Sequence, residues 1–220
     1  MKLLIIICGL LIIGCNSTDN KSENKISENT IQKEETSKET ELQNGDLIFH
    51  TSRSSQSQAI QIATNSKYSH MGIIYKEGEN YLVYEAVQPV KTTNLNAWIS
   101  RGKNGKYVVK RLKNSERYLS EDGIERIKII GQKYLGKDYD LRFEWSDNKI
   151  YCSELAWKIY KEAFNIEIGK LEKVGDFDLS NKTVQEKVKE RYGSDIPKDE
   201  FVITPDRMFK SEKLITVKEK

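Results

Sequence analysis

Cysteine and histidine are both scarce in this chain, with three of the first and two of the second among 220 residues. Any imidazole chemistry therefore belongs to His50 or His70. No C-x-x-C or H-x-x-x-H pair is present. Cys152, His50 and His70 would make a zinc set by ligand type alone, without the local ligand pair that such sites use, and no metal or other cofactor is expected. The chain has no internal repeat and no phosphate-binding glycine loop, since isolated glycines such as Gly45 and Gly72 do not make one. A formal net charge of +3 is too small to argue for nucleic acid or for a polybasic membrane surface. Nothing points to an obligate protein partner. The chain also lacks a long apolar run. The strongest, Leu3 to Ile13, is broken by Cys8 and Gly9 and is too short to span a bilayer comfortably.

That short run is instead the size of a signal-peptide core, and it follows a positive Met1-Lys2 start. Ile12-Ile13-Gly14-Cys15 then resembles the bacterial lipoprotein box, in which the chain is cut before the cysteine and the new terminus is lipidated. The expected division is a signal peptide over 1–14, a tether over 15–41 and one domain over 42–220. The tether is rich in Ser, Thr, Asn, Lys and Glu and cannot bury enough apolar surface to offset its ordering entropy. Composition agrees with this: 37% hydrophobic and 31% charged residues is polar for a chain that is all core. The mature protein is expected to be bound to a membrane through lipidated Cys15, on the extracytoplasmic side of a bacterial envelope. Asn16 is not the aspartate linked to inner-membrane retention, so the outer membrane is favoured if there are two.

With Cys8 removed and Cys15 lipidated, Cys152 is left without a disulfide partner in an oxidising compartment. It lies in Lys149-Ile150-Tyr151-Cys152-Ser153-Glu154-Leu155-Ala156-Trp157, which reads as the start of a buried helix. Asp147 and Asn148 are candidate caps, and apolar rows follow at helical spacing. A cysteine in a first helical turn faces unpaired backbone N–H groups and the positive end of the dipole, both of which favour thiolate chemistry. The alternative is a small buried hydrophobe.

Earlier in the chain, Gly45 to His50 reads as a turn and a strand, and Ser54 to Thr64 as a short helix. Tyr68 to Tyr75 and Tyr81 to Val87 form a hairpin around Gly78. A two-residue turn puts His70 opposite or diagonal to Glu85 on one face, while a three-residue turn puts them on opposite faces. A carboxylate beside an imidazole fixes its tautomer and stabilises its charged form. His50 is the competing base but has no such acid at hairpin spacing. Further on, the pattern predicts a short helical turn around Trp98, a strand over Tyr107–Leu112 and a helix from Ser120 toward Gly136. It then predicts an exposed helix over Thr183–Arg191, an edge strand stopped by Pro205, and a last strand over Leu214–Val217. Tyr139 lies between the two central helices, either as a donor to an oxyanion or as packing.

The segments Asn44-Gly45-Asp46-Leu47-Ile48-Phe49, Ser69-His70-Met71-Gly72-Ile73-Ile74 and Tyr84-Glu85-Ala86 resemble the histidine box and third polar residue of NlpC-type, papain-like cysteine peptidases. Gly136-Lys137-Asp138-Tyr139 with Tyr151-Cys152-Ser153-Glu154-Leu155 resembles their cysteine box. The boxes come in reversed order, which matches the circularly permuted YiiX/YebB-like branch, and the likeness covers about Asn44 to Val217. It implies an α+β domain with an antiparallel sheet packed on helices, Cys152 as nucleophile, His70 as base and Glu85 as orienting residue. Glu85 departs from the His or Asn more often found at the third position. Tyr139, Ser69 and Ser153 are the expected oxyanion or substrate contacts. The implied activity is hydrolysis of an amide or ester bond, in a cell-wall peptide or an acyl amide, through an acyl-enzyme. An acyltransferase with the same site and a non-catalytic binding module are the alternatives.

Overall fold

The computed structural model describes residues 41–220, so the expected signal peptide, Cys15 and nearly all of the tether lie outside the described residues. Ten strands and seven α-helices follow one another in that span. In chain order they are β1 (Leu47–His50), α1 (Ser55–Thr64), β2 (His70–Glu77), β3 (Asn80–Glu85), β4 (Lys91–Asn94), α2 (Leu95–Arg101) and β5 (Val108–Leu112). Then come α3 (Ser115–Tyr118), α4 (Glu121–Gln132), β6 (Asp138–Tyr139), β7 (Lys149–Ile150), α5 (Cys152–Phe164) and β8 (Glu172–Lys173). The last are α6 (Lys182–Tyr192), β9 (Phe201–Val202), α7 (Pro205–Phe209) and β10 (Leu214–Glu219). Six strands form one antiparallel sheet in the order β10-β5-β1-β2-β3-β4, giving the expected α+β architecture.

Strand alternation sorts side chains onto two faces. Leu47, Phe49, Met71, Ile73, Tyr84 and Val108 point toward α4 and α5 and share a core with Ile127, Leu155, Ile159 and Tyr160. Ile48, Ile74, Val83 and Val109 point the other way and are covered by Leu95 and Trp98 of α2. The sheet is thus buried on both faces at its centre. The β1–β5 pair is pinned by Asp46, fully buried, which accepts from Arg111 Nε at 2.7 Å and Nη2 at 2.9 Å. Arg111 also donates to the Glu41 carbonyl at 2.6 Å.

The hairpin has the two-residue turn. Glu77 faces Asn80 and Ile73 faces Tyr84, with Gly78 at φ +57° between the strands. Glu85 then belongs opposite Gly72, which places it diagonal to His70 on one face. Gly72 has no room for a side chain there, because a Cβ would lie 2.4 Å from Val83 Cγ1 and 2.7 Å from the Tyr84 carbonyl oxygen.

Three expectations are corrected. The cysteine helix is not capped by Asp147 or Asn148. Lys149–Ile150 pairs in parallel with Asp138–Tyr139, Tyr151 is the N-cap, and Glu154 takes the Tyr151 N–H at 3.3 Å. Asp147 instead accepts from Lys158 Nζ at 2.8 Å. The helix over 182–192 is not simply exposed, since Val184 and Tyr192 are buried. Its apolar stripe of Val184, Val188 and Tyr192 is one residue wide per turn, so a charged composition hid it. Pro205 does more than stop a strand: it opens α7, with Thr204 as N-cap accepting the Arg207 N–H at 3.2 Å.

Candidate active site

Cys152 is the first residue of α5, directly after the short β6–β7 ladder. Its backbone N–H has no intrahelical acceptor and sits at the positive end of the helix. The side chain is buried, at 4% exposure. His70 opens β2, and the neighbouring Cys152 side chain is among the groups that favour its protonated form. His70 Nε2 meets Glu85 Oε2 at 2.7 Å, which leaves Nδ1 for the sulfur. The fold therefore brings the late helix, the early strand and its hairpin partner into one chain of contacts.

Glu85 is fully buried and held from its other oxygen by Thr93 Oγ1 at 2.6 Å and by the Arg101 guanidinium. Burial alone would raise its pKa, but His70, Thr93 and Arg101 outweigh that and bring it down to about 2. Burial likewise acts to lower the pKa of His70. Its bonds to Cys152 and Glu85, and their charges, overcome this and raise it to about 9. Sequence reading missed Thr93 and Arg101. Thr93 had a usable signal, since it sits two residues from Lys91, the residue paired with Glu85 in the β3–β4 ladder. Arg101 ends α2 and has no local pattern to mark it.

His50 faces His70 across the β1–β2 pair, with ring centroids 5.3 Å apart, and stacks on Trp98 at 3.9 Å. Burial first, then the charges of His70 and Arg101, push it down to about 3, and Nδ1 has no partner. It is a neutral ring beneath His70, and it is His70 that joins the sulfur. Ser69 Oγ is tied to Ser57 Oγ and accepts the Ser52 N–H at 3.0 Å. Ser153 Oγ donates to the Ile203 carbonyl at 2.7 Å. Both serines brace the loops around the site. Tyr139 accepts from Gln56 Nε2 at 3.2 Å, and burial together with the nearby Cys152 raises its pKa.

Two hollows meet at this point. One contains Cys152 and is walled by Ala59, Ala63, Phe143, Val184 and Val202, with Lys187 and Arg191 also on its lining. The other contains His70 and is walled by Ser52, Ser54, Gln56, Gln88 and Arg101. Gln56, Ile60 and Tyr139 border both. Among the described residues, no group of three His, Cys, Asp or Glu side chains is arranged to hold a metal ion.

Residues 41–218 match the model of the permuted papain-like amidase enzymes, the YaeF/YiiX or C92 family. The chain belongs to this family. The uncharacterized protein YiiX of Escherichia coli strain K12 is 46% identical over 175 residues, covering 80% of this chain and 85% of that protein. A crystal structure of yiiX from Escherichia coli O157:H7, described as a metalloprotein, is 47% identical. It matches with a TM-score of 0.77, covering 81% of this chain and 97% of that one. The permuted order explains how this amidase-family fold takes its imidazole from the first hairpin and its sulfur from a helix much later in the chain.

Proposed function

We propose that the chain is a thiol hydrolase that cleaves an amide or ester bond through an acyl-enzyme on Cys152. The observation that carries this reading is the His70–Glu85 pair at 2.7 Å, with Cys152 close enough to His70 to raise its pKa. His70, raised to about 9, is basic enough to take the sulfur's proton at neutral pH. The sulfur then bonds to the carbonyl carbon, and the carbonyl electron pair moves to oxygen. In this reading the Cys152 backbone N–H and the Tyr139 hydroxyl donate to that oxyanion. Collapse breaks the C–N or C–O bond, and the proton on His70 passes to the leaving atom. Water gives a proton to His70 and attacks the thioester. A carboxylic acid leaves, and the proton returns to sulfur. With an amine or alcohol in place of water, the same steps give acyl transfer, and mass spectrometry of the products separates the two.

The metalloprotein description of the solved relative raises the question of a metal here. The donor set does not fit one, because His70 Nε2 is engaged by Glu85, and among the described residues no three His, Cys, Asp or Glu side chains are grouped to hold a metal ion. The scheme is therefore written with the thiol alone.

Iodoacetamide tests the activated sulfur. At neutral pH, alkylation of Cys152 is expected to slow by about 10-fold or more in His70→Ala. Equal labelling rates in the two proteins count against the reading. We further propose that the enzyme works at the cell envelope, held by lipid on Cys15. The lipoprotein-like box at Ile12–Cys15 supports this. In detergent phase separation of cells expressing the full chain, Cys15→Ala is expected to move the protein from the detergent phase to the aqueous one. Unchanged partitioning rejects the anchor.

A further inference from the structure

The two hollows, which share Gln56, Ile60 and Tyr139, differ in chemistry, and the reaction itself says which part of a substrate enters each. The leaving atom must receive a proton from His70, so it departs on the His70 side. That side is the more polar of the two, with serine hydroxyls, Gln56, Gln88 and Arg101 on its lining beside Ala86, Val87 and Leu141. The acyl remainder, bonded to sulfur, then points into the other hollow, which is about 130 Å³ and lined mostly by apolar surface.

An extended peptide does not suit these walls. Its N–H and C=O groups need partners, and the nearest backbone groups are already used. Ile203 N–H donates to Tyr151 Oη at 3.0 Å, and its carbonyl accepts from Ser153. Val202 pairs with Glu172 in the β8–β9 ladder. The two cations on the lining are also turned to local partners, Lys187 to Glu190 at 2.5 Å and Arg191 to the Phe143 ring at 4.8 Å. A methylene chain has no polar groups to satisfy and gains from every buried carbon.

We propose that the acyl part of the substrate is an unbranched hydrocarbon chain seated in the cavity beside Cys152, with a polar amine or alcohol leaving group in the cleft beside His70. This rests on the thiol-hydrolase reading. It narrows the substrate class to fatty acyl amides or esters and sets cell-wall peptides aside.

The test compares kcat/KM of the protein on p-nitrophenyl acetate, butyrate and octanoate and on the p-nitrophenyl ester of N-acetyl-leucine, with Cys152→Ala as the blank. The octanoate-to-acetate ratio is expected to reach at least about 30, and the leucine ester to fall below octanoate. Ala63→Trp, which fills the cavity from α1, is expected to bring that ratio down toward one within the same variant. Leu179→Trp, at another position on the cavity lining, serves the same purpose if the first variant does not fold. A flat chain-length series, a leucine ester that outruns octanoate, or an unchanged ratio in the filled variants overturns the acyl-chain site while leaving the hydrolase standing. Turnover no faster than the Cys152→Ala blank on every ester removes the hydrolase reading itself.

Discussion

Replacement of Cys152 by alanine is expected to lower amide or ester turnover by at least about 10³-fold, with serine scarcely better. In the proposed mechanism the sulfur forms the covalent intermediate. What that mechanism leaves in the variant is the proposed oxyanion donors and the two hollows. Serine keeps the volume, but its hydroxyl is far harder to deprotonate than a thiol, and this site is built around a thiol. The fold should survive either change. Cys152 is small, and the capping contact that starts its helix is made by Glu154 to Tyr151. A melting midpoint within a few degrees of wild type, together with lost turnover and lost alkylation, is the expected pattern. Turnover that persists in both variants removes Cys152 from the chemistry. A loss of turnover without any loss of cellular function would instead favour a binding module that kept the fold.

Glu85 carries the second large effect. Glu85→Gln keeps the shape but offers an amide where His70 Nε2 met a carboxylate, and it is expected to reduce kcat/KM by about 10²–10⁴-fold. The pH profile distinguishes an orienting carboxylate from a packing residue. His70 is raised above its ordinary value, so its proton is present at neutral pH and is lost as pH rises through about 9. Activity should therefore fall on that alkaline limb. In Glu85→Gln one of the two groups holding the proton is gone, so the limb moves toward neutral pH. An alkaline limb that stays in place means that Glu85 does not set the basicity of His70.

The same linkage affects stability. The raised pKa of His70 stabilises the fold fully below about 6.5, and this contribution disappears as pH passes about 9. Glu85, lowered to about 2, contributes above about 4.5 and loses that contribution as pH falls toward 2. Glu85→Ala is expected to cost about 3 kcal/mol, the low end for a broken buried pair, because Arg101 is 43% exposed and can rehydrate. Urea unfolding at neutral pH measures it.

The parts of the site that were legible in the sequence are those set by short-range periodicity. Strand alternation put His70 and Glu85 on one face for a two-residue turn, a turn length that only the structure decides, and the apolar rows after Cys152 marked a buried helix. What was hidden depends on contacts between distant segments. Asp147 and Asn148 are good caps by type, but Ile150 is wanted in a parallel pair with Tyr139, and that tertiary contact moves the helix start to Cys152. Ser69 and Ser153 look like free hydroxyls in sequence, yet each is used to tie a loop. Arg101 reaches Glu85 only because α2 lies across the sheet. The apolar hollow was equally out of reach, since α1, α6 and the segment after β9 share no local pattern.

The reversed order of the two boxes also bears on when the thiol becomes dangerous. Imidazole and sulfur ride on parts of the chain that meet only when the late helix docks on the early hairpin. A half-folded or clipped molecule therefore carries an ordinary thiol, blunt toward bystander carbonyls. Under the proposed mechanism, reactivity is switched on by completion of the fold itself.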